Sequence, residues 1–130
     1  MDTYLNIGSI ENFREYYTTY AELAIGEYEH WEEEEWVDVA NPDWQKFIGQ
    51  LSQELYEKGV DGFFIDNCDV YYYAPRESIF EGLTTMLQNI MTFKKAVIIN
   101  GGDTYVTEYR DRYGAVSYTH LRAHETTLHL

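Results

Sequence analysis

The chain has 130 residues, 45% hydrophobic and 17% aromatic, which suits one folded domain or a piece of a larger one and excludes disorder by composition. Its formal net charge of −14 excludes the basic footprint that nucleic acid requires and favours a cationic ligand or polymer, or simple solubility. One cysteine excludes an intrachain disulfide, no spacing suggests a metal or cofactor site, and no apolar run approaches the roughly 18 residues of a membrane-spanning helix.

Met1-Asp2-Thr3-Tyr4 passes directly into a strand-like segment with no signal-peptide pattern. The start is therefore cytosolic, or the true N-terminus is missing; a secreted or cell-surface parent stays open. Residues 3–8 (TYLNIG) are the first expected strand, followed by Phe13, Tyr16, Tyr17 and Tyr20 at helical spacing. Residues 36–39 (WVDV) are the second. After them Asn41 is placed to cap a helix, Pro42 suits its first position, and Trp44, Phe47, Ile48, Leu51 and Leu55 make an apolar stripe ending near Gly59. Residues 62–66 (GFFID) are the third strand. Ser78 and Glu81 then fit a capping box ahead of Ile79, Phe80, Leu83, Leu87, Ile90 and Met91. Residues 96–100 (AVIIN) are the fourth, with Asp103 placed to cap a helix carrying Val106, Tyr109 and Tyr113. Strand alternating with helix predicts βα units around a parallel sheet.

Side chains alternate faces along a strand. One face of the four strands carries Leu5 and Ile7, Val37 and Val39, Phe63 and Ile65, Val97 and Ile99, and is expected to lie under helices. The other carries Asn6, Asp38, Asp66 and Asn100, each near the C-terminal end of its strand. A polar group at the same level of four strands is what the mouth of a (β/α)8 barrel shows. A doubly wound sheet, the competing arrangement, buries both faces in apolar side chains. The expected fold is therefore α/β, a partial (β/α)8 TIM barrel of about four βα units, with open edges at both ends.

Residues 116–130 (VSYTHLRAHETTLHL) lack convincing periodicity yet hold three of the four histidines, His120, His124 and His129. This segment resembles an adapter read-through found on many unrelated translated environmental sequences. The division expected is a partial barrel over residues 1–115 and a non-native tail over 116–130 that contributes no packed element.

The chemistry concentrates in Asp66-Asn67-Cys68-Asp69. Asp66 ends a strand whose inward face is Gly62, Phe64 and Asp66, so it is either a turn-closing residue or a carboxylate acting as nucleophile or acid/base at a barrel mouth. Asp69 suits three roles: holding substrate hydroxyl or amine groups, tuning Asp66 by charge repulsion, or starting the next turn. Cys68 has no histidine nearby in the sequence and is a bystander thiol. Asn6 and Asn100 are amides suited to binding hydroxyls or orienting a carboxylate, or to structural work. The block from Tyr28 to Trp36 is dense in acid; it is a solvated loop, or Trp31 is a stacking platform with glutamates facing a cation. The thirteen tyrosines suit either packing or a carbohydrate or peptide surface.

Three stretches in order, Tyr4-Leu5-Asn6-Ile7-Gly8-Ser9 with Glu11, Trp36-Val37-Asp38-Val39, and Asp61-Gly62-Phe63-Phe64-Ile65-Asp66-Asn67-Cys68-Asp69, resemble successive motifs of glycoside hydrolase family 114. The resemblance runs from about Tyr4 to Gly114. It implies a (β/α)8 barrel acting on galactosamine-containing polysaccharide, an amino-sugar and so a cationic partner, with the catalytic aspartate of an Asp-Asn-x-Asp motif at Asp66. Around Asp66, the residues Asn6, Asp38, Asn67, Asp69 and Asn100 are the candidate substrate-binding groups, and no cofactor is expected. The resemblance also implies a second carboxyl group, a glutamate on the strand after residues 96–100; neither Glu108 nor Glu125 is a credible substitute. The expected function is that of a fragment of an endo-acting hydrolase of α-1,4-linked galactosamine polymer, inactive alone. The alternatives are a non-catalytic carbohydrate-binding or degenerate barrel, and a metal-assisted hydrolase using Asp38, Asp66 and Asp69.

Overall fold

The elements follow from alternation in the strands and from apolar stripes and caps in the helices. In the computed structural model they are β1 (Asp2–Asn6), β2 (Ser9–Glu11), α1 (Tyr17–Tyr20) with a 3₁₀ turn (Ala21–Leu23), β3 (Ala24–Glu27), β4 (Glu34–Val37), α2 (Pro42–Glu57), β5 (Gly62–Asp66), α3 (Val70–Tyr73), α4 (Glu77–Met91), β6 (Ala96–Asn100), α5 (Asp103–Tyr113) and β7 (Leu121–Ala123). The structure describes residues 2–27 and 33–114 and the backbone of 121–123.

A four-stranded parallel sheet runs in the order β1-β5-β6-β7, with α2, α4 and α5 as the crossovers between successive strands. Its helix-facing side is the expected one. Leu5, Ile7, Phe63, Ile65, Val97 and Ile99 are buried against Trp44 and Ile48 of α2, Ile79, Phe80, Leu83, Leu87 and Ile90 of α4, and Tyr105, Val106 and Tyr109 of α5. The opposite side, which a closed barrel would turn inward, leaves Tyr4 exposed and Phe64 and Ile98 half-buried. No helix among the described residues is long and apolar enough to cross a membrane.

Two expectations about the strands are corrected. Residues 36–39 do not join the parallel sheet. β4 lies between β2 and β3 in a separate antiparallel sheet of order β2-β4-β3, and β1 pairs directly with β5. This small sheet is an excursion between the C-terminal end of β1 and α2, the position from which barrel enzymes build their mouths. The second correction concerns residues 116–130, expected to add nothing packed. Leu121–Ala123 pairs with β6 from Val97↔Leu121 to Ile99↔Ala123, covering backbone groups that an edge strand would leave open. Residues 115–120 and 124–130, with the three late histidines, lie outside the described residues, as do residues 28–32 with Trp31.

Helix ends also differ in part. Asn41 caps α2 as expected, its Oδ1 accepting from Asp43 N at 2.8 Å, with Pro42 next in line. The Ser78 capping box does not form; α4 starts at Glu77, with Arg76 extended at its cap and no side-chain bond there, which puts Ser78 inside the first turn. Gly102, in the left-handed region at φ 68°, takes the cap position of α5, and Asp103 moves into the first turn, where its charge complements the helix dipole. Of the tyrosine-rich stretch only Tyr17–Tyr20 is helical, and Phe13 is exposed.

Trp44 joins the excursion to the sheet. It is fully buried, its indole N–H donates to Ile7 O at 3.0 Å, and the Tyr20 and Phe47 rings lie 5.6 and 5.5 Å from it. Trp44→Ala is expected to cost about 3–5 kcal/mol through the cavity and the orphaned carbonyl. A urea midpoint within error of the unsubstituted chain would show that α2 is held otherwise.

Candidate active site

Register brings the polar side chains together. Asn6 pairs with Asp66 and Asp66 with Asn100, so three strands end on one row of amide, carboxylate and amide. Asp66 is at its centre and accepts three hydrogen bonds. Asn67 N (2.9 Å) and Asn100 Nδ2 (3.2 Å) donate to Oδ1, and the Tyr4 hydroxyl donates to Oδ2 at 2.9 Å. Tyr4 stands on the same face two residues before Asn6. Burial and then the Asp66 charge push its hydroxyl well above the ordinary tyrosine range, so it stays a donor.

Beneath the row is a buried polar floor. Asn67 has φ 71°, a left-handed conformation that asparagine tolerates better than most residues. Its side chain is buried, with Nδ2 donating to Asn6 Oδ1 at 3.0 Å and Ser9 Oγ at 3.1 Å, and reaching Glu34 Oε2 at 3.4 Å. Asn6 Oδ1 also accepts from Ser9 N at 3.1 Å, and Asn6 Nδ2 donates to Ser9 Oγ at 2.8 Å. The Ser9 hydroxyl donates to Glu34 Oε2 in a very short contact. Gly8 permits this closeness: a Cβ there would lie 1.8 Å from the Asn67 carbonyl oxygen.

The remaining expected residues separate. Asn67 and Asn6 turn their amides into the floor. Asp69 Oδ1 accepts from Gly102 N at 3.0 Å, which ties it to the start of α5. Burial, and more weakly Asp66 and Asp103, raise its carboxyl above the usual aspartate value against the opposing pull of Gly102 N–H. Asp38 is in the turn between β4 and α2, where its Oδ1 accepts from Ala40 N at 3.1 Å. It leaves the row because β4 has left the sheet. Cys68 is fully buried; burial, then the charges of Asp69 and Asp66, push its thiol well up, consistent with a bystander. Among the described residues no three His, Cys, Asp or Glu side chains gather as a ligand set, so the metal-assisted alternative lacks its cluster.

Glu34 is the member that sequence reasoning did not single out. It belonged to an acidic run whose neighbours read alike, and only the strand phase of β4 separates it from them. Glu35 instead accepts from the Tyr17 hydroxyl at 2.7 Å, and Glu33 is exposed. Burial raises the Glu34 carboxyl above its ordinary value of 4.5, opposed by the Ser9 hydrogen bond and helped by Glu11 and Asp66. A raised folded value favours the protonated form. The stability it contributes is full below about pH 4.5 and lost as pH rises through the elevated folded value. Glu34→Gln should therefore flatten the decline in urea midpoint between that pH and neutrality. An unchanged slope would show that Glu34 titrates alike in folded and unfolded chains.

A parallel sheet under crossover helices, with a carboxylate between amides at the C-terminal ends of its strands, defines part of a (β/α)8 barrel and its mouth. The chain belongs to glycoside hydrolase family GH114, whose family model matches residues 3–110. No curated protein matches the chain. Among solved structures it is similar to the glycoside hydrolase domain of PelA from Pseudomonas aeruginosa, at 20% identity and TM-score 0.67, covering 81% of this chain and 44% of that one. It is also similar to Aspergillus fumigatus Ega3, solved in complex with galactosamine, at 14% identity and TM-score 0.66, covering 94% and 58%. A Thermus thermophilus α-galactosidase is similar at 8% identity and TM-score 0.57, over 75% of this chain and 22% of that one. The chain thus spans about half the length of the first two, and both share its fold.

Proposed function

We propose that the chain supplies half of the catalytic barrel of an endo-acting glycoside hydrolase whose substrate is an α-1,4-linked galactosamine-type polysaccharide, with Asp66 as one of its two reactive carboxyl groups. The observation that carries this reading is Asp66 itself, at the C-terminal end of β5, held by Tyr4, Asn67 and Asn100. Three donors around one carboxylate suit a nucleophile or base better than a proton donor. Membership in GH114 supports the reaction class, the galactosamine bound to Ega3 supports the sugar, and a net charge of −14 suits a partly deacetylated, cationic polymer. Asn100 remains placed to meet a sugar hydroxyl beside Asp66, and Asp69 to act through its charge.

Glycosidases place a second carboxyl group about 5–9.5 Å away across the scissile bond. The family resemblance puts it on the strand after β6. Neither Glu108 nor Glu125 is a credible substitute for it, so the chain alone is expected not to hydrolyse the polymer.

The test joins this chain to the remaining βα units of a GH114 relative that carries the glutamate. Asp66→Asn in that barrel is expected to lower turnover of galactosamine polymer by at least about 100-fold with little change in KM. Near-full activity would make Asp66 a turn residue and sink the assignment. Hydrolysis by the chain on its own would overturn the argument from the second carboxyl group. Binding without turnover in the joined barrel would favour the carbohydrate-binding alternative.

A further inference from the structure

We propose that Glu34 is a positioning residue for Asp66, acting through Ser9 and Asn67. The inference rests on the reading of Asp66 as the reactive group. Glu34 arrives from β4, in the excursion after β1, and meets in the floor Ser9 from β2 of the same excursion. Its Oε2 accepts from the Ser9 hydroxyl and lies 3.4 Å from Asn67 Nδ2. Ser9 Oγ in turn accepts from both Asn6 Nδ2 and Asn67 Nδ2. With two donors on its oxygen and its own proton given away, the hydroxyl has one satisfied orientation, and Glu34 sets it.

The link then passes to Asp66 through one residue. Asn67 visits the left-handed region more readily than most residues, and the bonds of its buried amide to Asn6 and Ser9 hold it there at φ 71°. In that conformation its main-chain N–H meets Asp66 Oδ1 at 2.9 Å, and its carbonyl lies against Gly8. A return to the ordinary region would swing that N–H away. Asp66 would keep Tyr4 and Asn100 but lose the donor that is fixed to the backbone, and with it one constraint on the carboxylate plane.

Two features separate positioning from general stability. Ser9, Asn6 and Asn67 are buried, and they are bonded to one another and to Glu34 through side-chain polar atoms. Glu34 is also half-buried and carries one charge, which a glutamine can replace while keeping an accepting oxygen.

The experiment is amide hydrogen exchange by NMR on the full chain, comparing Glu34→Ala, Glu34→Gln and Ser9→Ala. Glu34→Ala is expected to accelerate exchange at Asn67 N–H by about tenfold or more, while the β5–β6 ladder amides keep their rates. Glu34→Gln is expected to restore the Asn67 rate to within about threefold, since the acceptor is back. An Asn67 rate unmoved by Glu34→Ala overturns the proposal, as does an equal acceleration throughout the ladder. Should Glu34→Ala fail to fold, Ser9→Ala decides: faster exchange at Asn67 supports the link and an unchanged rate overturns it. No substrate enters this measurement. If Asp66→Asn proves harmless in the joined barrel while Glu34→Ala frees Asn67, the catalytic reading fails and the link to Asn67 stands; the opposite pair of results removes the link and leaves Asp66.

Discussion

Parallel pairing in register, with one face committed to helices, is the constraint on which the rest of the structure depends. Leu5 and Ile7, Phe63 and Ile65, Val97 and Ile99 are buried on the helix side, so Asn6, Asp66 and Asn100 must face the other way. The pairings Asn6↔Asp66 and Asp66↔Asn100 then bring them to one level. A slip of one residue in any strand would turn its apolar side chains out of the core and its polar end into it. The site is therefore specified by the free energy of burying six apolar side chains, and only then refined by hydrogen bonds.

Refinement is needed because the row lies above groups that are costly to bury. Asn6, Ser9 and Asn67 are all nearly inaccessible, yet among the described residues no buried side-chain nitrogen or oxygen lacks a partner. Satisfaction is mutual: each member's donor is another's acceptor, and the chain of contacts ends on a carboxylate that reaches the surface. Such a network specifies one arrangement while complete and costs several unpaired groups when one member is lost. The antiparallel excursion makes it possible. β4, held between β2 and β3, brings Glu34 to the floor, while β2 brings Ser9 from the end of β1.

Much of this was legible from residue order. Three of the four strands, the polar row without Asp38, the stripes of α2 and α4 and the Asn41 cap follow from periods of 2 and 3.6 and from local cap chemistry. What was not legible shares one cause: it depends on which distant segment a residue meets. Trp36-Val37-Asp38-Val39 alternates like a barrel strand, and Val37 and Val39 are buried as expected, but pairing partners decide the sheet, and Ser9–Glu11 claims this segment. Glu34 stands among neighbours of identical chemistry, and only its neighbours Ser9 and Asn67 give it a role. Ser78 and Glu81 have the spacing of a capping box, yet the helix begins at Glu77, one residue before that box would open. Tyr105 was left out of the expected stripe of α5 and is buried with its hydroxyl 2.7 Å from Thr84 Oγ1, a partner 21 positions away.

The electrostatics of the mouth carry the last step. Glu34 and Asp69 are raised first by burial and then, against the hydrogen bonds they accept, by neighbouring carboxylates that include Asp66 in both cases. Each group is thus protonated more readily because the others are charged. A positive group entering the mouth reverses that balance: it stabilises every ionised carboxylate it approaches, so the site gives up protons as it is filled. If the proposed cationic polymer is the ligand, its binding is coupled to pH with a fixed sign, weakening as pH falls and Glu34 and Asp69 take up protons. A neutral sugar would not feel that coupling. On the proposed reading, the acidic field that raises Glu34 would distinguish an amine-bearing ring from its neutral or acetylated counterpart.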